Sequence, residues 1–156
     1  MNQDEARSLV GTSERGTLRV TALDFQRWAA AIGDHNPLWF DPEHARSKGH
    51  PDVVMPPLFL SRGIGNVTRL DVLRPDGIPA GIDEQLPLPS RRMAGEDAWE
   101  FRSWAHAGDE LEWERVLVGL DEKQGRSGTF VSILWETTFR NASDVVAINR
   151  QQLLAL

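Results

Sequence analysis

A chain of 156 residues with 40 % apolar content has material for one ordinary hydrophobic core, and a single domain over residues 1–156 is expected. The formal net charge of -6, with Lys and Arg scattered among acids, argues against generic binding to phosphate backbones, so no nucleic-acid partner is expected. The lack of cysteine removes disulfides, thiolate metal sites and thiol nucleophiles together. The opening residues Met1 to Arg7 show no basic start followed by an apolar run, and no stretch approaches the roughly 20 apolar residues of a membrane span. A cytoplasmic protein with no membrane association is the expectation.

In chain order, a strand is expected near Leu18 to Val20. Thr21 then caps a helix: Asp24 stands three residues on, and Phe25, Trp28, Ala29 and Ile32 recur on one face. The helix should stop at Gly33, and Pro37 pushes Asn36 out of helical geometry, so Asp34 lies at a helix exit. A second, short helix follows, with Asp41 as cap and Pro42 at its first position. Met55-Pro56-Pro57-Leu58-Phe59 reads as a turn launching a third helix through about Gly63 to Thr68. Residues Asp71 to Pro89 carry four prolines and two glycines, as a long surface loop would.

From Ala94 the period becomes two. Trp99 and Phe101, then Leu111 and Trp113, then Val131, Ile133, Trp135 and Phe139 alternate with polar neighbours, and Val145 to Leu156 supplies a last strand. Ala107-Gly108-Asp109, Glu122 to Gly128 and Asn141 to Asp144 hold the turn formers between them. Helices followed by consecutive antiparallel strands predict an α+β domain with a sheet packed on segregated helices.

The chemistry concentrates in Ile32-Gly33-Asp34-His35-Asn36-Pro37-Leu38-Trp39-Phe40-Asp41. A carboxylate just past a helix-ending glycine can project into a cleft, with Asn36 donating to a water or a carbonyl. Alternatively, Asp34 and Asn36 satisfy backbone donors of a capped loop, and spacing alone leaves both readings open.

Ala30 to Leu38, followed by Asp41 and Ala45, resembles the signature of MaoC-like enzymes, which include R-specific enoyl-CoA hydratases. Met55-Pro56-Pro57-Leu58-Phe59 is similar to the Ala-Pro-Pro-Thr-Phe segment of the N-terminal-half branch of MaoC dehydratases, related to fatty-acid-synthase-type dehydratases. Segments from Glu96 to Asn141 keep that branch's order. The resemblance implies a hot-dog fold, a curved antiparallel sheet packed around a central helix, with two such units side by side. It implies reversible hydration of an α,β-double bond in an acyl thioester carried by coenzyme A or acyl carrier protein, with no further cofactor. Asp34 would orient or deprotonate the water, Asn36 would hold the site together, and Trp39, Pro57 and Phe59 would bind substrate.

One departure stands out. Catalytic members carry histidine where this chain has Trp39, and indole can neither accept nor deliver that proton. Of His35, His44, His50 and His106, His50 is the least implausible substitute. None shows metal-ligand spacing, so no metal is expected. Arg91-Arg92 suits phosphate oxygens of a carrier or a solvated turn, and Glu110, Glu112 and Glu114 read as a solvated strand face. Three functions follow: a hydratase or dehydratase of acyl thioesters, a non-catalytic acyl-binding partner of a second hot-dog chain, or, less favoured, a thioesterase. An isolated sheet of this kind leaves an edge exposed, so a homodimer or heterodimer is expected.

Overall fold

The computed structural model describes residues 5, 8–62, 69–73, 75, 77, 86–89, 91–126 and 128–156. Strand β1 (Ser13–Arg19) leads into helix α1 (Ala22–Ile32) and a short helix α2 (Pro42–Ser47), and β2 (Arg92–Phe101), β3 (Glu110–Gly125), β4 (Gly128–Arg140) and β5 (Val145–Ala155) follow. The strands form one sheet in the order β1-β3-β4-β5-β2, with every described pairing antiparallel. This sheet against one long helix is the α+β hot-dog architecture.

Local chemistry explains where α1 begins and ends. Thr21 Oγ1 accepts from the Asp24 amide at 3.2 Å while Asp24 Oδ2 accepts from the Thr21 amide at 3.1 Å, a reciprocal capping box. At the far end Gly33 adopts φ 71°, a left-handed conformation that side chains resist, and the helix stops there. Phe25 and Ala29 are fully buried, Phe25 in a cluster on the sheet and Ala29 against Trp39 and Val54.

The inner face of the sheet carries two apolar clusters. One gathers Phe25, Phe59, Leu111, Phe139, Val146 and neighbours under α1, and the other gathers Leu117, Ile133, Trp135 and Ala155 beneath Leu86. Phe59 sets its ring edge-on to Phe25 at 5.1 Å and to Trp28 at 6.3 Å, so it locks the segment after the two prolines onto the helix.

Several elements depart from the sequence expectations. The first strand begins at Ser13 rather than near Leu18, because pairing of Ser13–Arg19 with Val116–Glu110, not apolar content, makes it a strand. The expected loop over Glu122 to Gly128 shrinks to a tight hairpin, since the ladder continues to Gly125↔Gly128. Leu58 sits at φ 59°, which breaks α-geometry after Pro57; a 3-10 turn at Phe59–Arg62 takes the place of the start of the third helix. The rest of that expected helix, 63–68, lies outside the described residues, as does most of the expected loop over 71–89. Within that loop a 3-10 turn spans Leu70–Val72. Among the described residues no helix is long and apolar enough to cross a membrane.

Because Phe59 is 1 % exposed and wedged between two rings, Phe59→Ala is expected to destabilise the fold by about 3–5 kcal/mol. Urea unfolding followed by tryptophan fluorescence measures this, and a loss below about 1 kcal/mol would contradict a core role.

Candidate active site

The segment after α1 is held by side chains that cap the backbone one after another. The Asp34 amide donates to the Ala29 carbonyl at 2.9 Å, closing the helix. Asp34 Oδ1 accepts from the Asn36 amide at 3.0 Å, and Asn36 Oδ1 accepts from the Leu38 amide at 3.1 Å. That second contact caps the 3-10 turn Pro37–Trp39. Asp41 Oδ1 then accepts from the Glu43 and His44 amides at 2.8 and 3.0 Å and starts α2.

The second oxygen of Asp34 is also engaged. The Trp39 indole Nε1 donates to Asp34 Oδ2 at 2.8 Å. Trp39 is 4 % exposed and packs with Ala29 and Val54 beside the C-terminal half of α1. By contrast, the Nε1 atoms of Trp28, Trp113 and Trp135 are buried with no hydrogen-bond partner. Trp39 is therefore a wedge with a specific polar anchor. Indole donates and never accepts, so the contact fixes the carboxylate without offering a route for a proton.

The candidate residues occupy different environments. Asp34 is half-buried, Asn36 and Pro57 are exposed, and Trp39 and Phe59 are core side chains. Asp34, Asn36 and Trp39 form one hydrogen-bonded unit, whereas Phe59 belongs to the cluster under the start of α1. His35 is exposed. His50 points at another histidine: its Nδ1 lies 3.3 Å from His106 Nε2, and its ring meets Trp104 edge-on at 5.2 Å. Among the described residues nothing links His50 to Asp34 by a hydrogen bond, and no three His, Asp or Glu side chains are grouped to hold a metal ion. Arg91 is exposed and Arg92 half-buried at the start of β2. On β3, Glu114 pairs with Arg15 at 2.6 Å in solvent.

The residues that sequence reasoning passed over lie on the sheet. Glu14, Arg115, Thr137 and Asn149 are cross-strand neighbours on the inner face, between the apolar members of the alternating series. Thr137 is 2 % and Asn149 8 % exposed. The signal was present as Thr137, a polar member of the inward series Val131, Ile133, Trp135 and Phe139.

Comparisons with known proteins bear on the family and the fold. The family model described as FAS1-like, dehydratase domain region, matches residues 8–150. A protein from Saccharopolyspora erythraea named UPF0336 protein is 34 % identical over 115 residues, which are 72 % of this chain and 66 % of that relative, just under two thirds of its length. The ChsH1-ChsH2 complex from Mycobacterium tuberculosis contains a chain that superposes with a TM-score of 0.72 at 21 % identity, covering 99 % of this chain and 90 % of that one. The HadBC (3R-hydroxyacyl-ACP dehydratase) complex from the same organism gives 0.72 at 17 % identity, covering 94 % and 97 %.

Two outcomes follow. Trp39→Phe keeps an aromatic ring but deletes the bond to Asp34 and leaves a smaller side chain in a buried site, so it is expected to cost about 1–3 kcal/mol in urea unfolding; an unchanged midpoint would show that the bond does not hold in solution. Burial lowers the His106 pKa below the ordinary 6.5, the charge of Asp109 raises it partway, His50 lowers it and Asp52 raises it. A lowered folded value means that the unfolded chain binds the proton first, so this contribution is complete above 6.5 and is lost as pH falls through the folded value. Stability should decline as pH falls from 6.5 to the folded value in the wild type and decline less in His106→Gln; parallel pH profiles would contradict this.

Proposed function

Because the chain belongs to the FAS1-like dehydratase family, with the MaoC-like hot-dog fold, we propose that it is one subunit of a hetero-oligomeric hydratase or dehydratase of acyl thioesters, and that proton transfer falls to a second hot-dog chain. The observation that carries this reading is the Trp39 indole on Asp34 Oδ2. Hydration of an enoyl thioester needs one group to take a proton from water and another to deliver a proton to the carbon skeleton. Here one carboxylate oxygen is held by a backbone amide and the other by an indole, and no histidine is bonded to it among the described residues.

The partner chain would supply the aspartate and histidine, while this chain contributes binding surface and stabilises the assembly. Two of the similar structures are complexes of different chains, which supports a mixed assembly. The unpaired edge of β2, which is bonded only to β5 among the described strands, offers backbone donors and acceptors to a neighbour. Substrate would arrive on coenzyme A or acyl carrier protein, with no other cofactor.

A second reading keeps this chain catalytic by itself. It is favoured by the partial exposure of Asp34, since a carboxylate has more lone pairs than the two donors occupy.

Loss of enoyl-thioester absorption on hydration separates the two. The purified chain is expected to be inert, and mixing with a hot-dog chain that carries both aspartate and histidine should give turnover. In that mixture Asp34→Ala should change the rate by less than about threefold, whereas removing the partner's aspartate should cost on the order of 10²–10⁴. Vigorous hydration by the pure chain that collapses in Asp34→Ala would overturn the subunit reading in favour of the second.

A further inference from the structure

The inner face of the sheet is interrupted by a polar seam. Cross-strand pairing places Glu14 opposite Arg115, Arg115 opposite Thr137, Thr137 opposite Asn149 and Asn149 opposite Trp99, so one row crosses all five strands. Apolar clusters lie on either side of this row. A cavity of about 230 Å³ opens over it, lined also by Asp97 and Gln151.

A polar row costs stability on a face whose other members are apolar, unless its groups are satisfied or used. Part of the row is satisfied. Arg115 donates to Glu14 Oε1 and Gln151 Oε1, each at 3.3 Å, and its guanidinium carbon lies 4.3 Å over the Trp135 ring. Asn149 Nδ2 donates to an Asp97 carboxylate oxygen and, at 3.2 Å, to the Ala98 carbonyl. Two acceptors at Nδ2 fix the orientation of the amide and so assign the other atom as Oδ1, an acceptor.

Two groups in the seam are left over. Among the described residues nothing donates to Asn149 Oδ1, and the Thr137 hydroxyl has no hydrogen-bond partner. Both residues are more than nine-tenths buried and line the cavity. A hydroxyl that donates to one and accepts from the other would satisfy both. Charge narrows the choice: the cavity is bordered by two carboxylates, Glu14 and Asp97, and one guanidinium, so an uncharged group fits better than an anion.

We propose that this cavity binds a neutral hydroxyl group borne on the acyl portion of the ligand, at a distance from the thioester. The assignment rests on the acyl-thioester reading above and narrows it to hydroxylated acyl chains. The seam acts as a specificity element, since an unsubstituted alkyl chain entering it would leave Thr137 and Asn149 unpaired.

The test is calorimetric titration of the full chain with pantetheine thioesters of ω-hydroxyacyl chains of six to twelve carbons and their unsubstituted counterparts. At least one hydroxylated chain is expected to bind about tenfold tighter than its counterpart. Thr137→Val should erase that preference, with the plain chain binding no more weakly than it does to the wild type because the hydroxyl it left unpaired is gone, and Thr137→Ser should keep it. Equal affinities across both series in the wild type would overturn the seam assignment and leave the acyl-thioester reading standing. Failure of every thioester in both series to bind would overturn both.

Discussion

The structure depends on how one carboxylate is held. Asp34 stands where α1 ends, its amide bonded back to Ala29 and its two oxygens bonded forward to the Asn36 amide and the Trp39 indole. With the Asn36 side chain accepting from the Leu38 amide, these contacts close the helix, start the 3-10 turn and seat a large ring against Ala29 and Val54. Each bond is worth about 0.5–3 kcal/mol by itself, but together they fix the path from α1 to α2. A group that carries this much geometry is poorly placed to move a proton through a catalytic cycle.

The sheet divides its work along the strands. Under α1 it is closed by aromatic packing, with Phe25, Phe59 and Phe139 at the centre. Farther along, Trp135, Ile133 and Leu117 close it again, and between these dry regions runs the polar row. The fold thus separates the Asp34 loop, beside the C-terminal half of α1, from a recess built on strand registers. In the proposed subunit role the second would serve binding, and the first need not transfer a proton.

Much of this was legible in the sequence wherever the cause is local. Thr21, Asp24 and Gly33 mark both ends of α1 because capping acts within a few residues, and Asp41-Pro42 marks the start of α2 for the same reason. The alternation in Val131–Phe139 identified a strand because burial on one face repeats every second residue, whereas that in Trp99–Phe101 marks β2 although Phe101 stays exposed. What escaped is long-range. Ser13 to Thr17 has no apolar rhythm and becomes a strand through pairing with β3, and Glu14 meets Arg115 across 101 residues. The role of Trp39 was half legible: its chemistry excluded proton transfer, but its bond to Asp34 needs the chain to fold back over the helix end. Of the two readings left open for Asp34 and Asn36, the capped loop accounts for the contacts to the Asn36 and Leu38 amides, and the Trp39 indole on Asp34 Oδ2 is a contact neither reading contained.

Single-turnover hydration tests the central claim most directly: the purified chain in molar excess over an enoyl thioester, with no second hot-dog chain present, sampled by rapid quench. With Asp34 fixed by the Trp39 indole, product should form no faster than in buffer. A burst of hydrated product from the wild-type chain, absent in Asp34→Ala, would contradict the account.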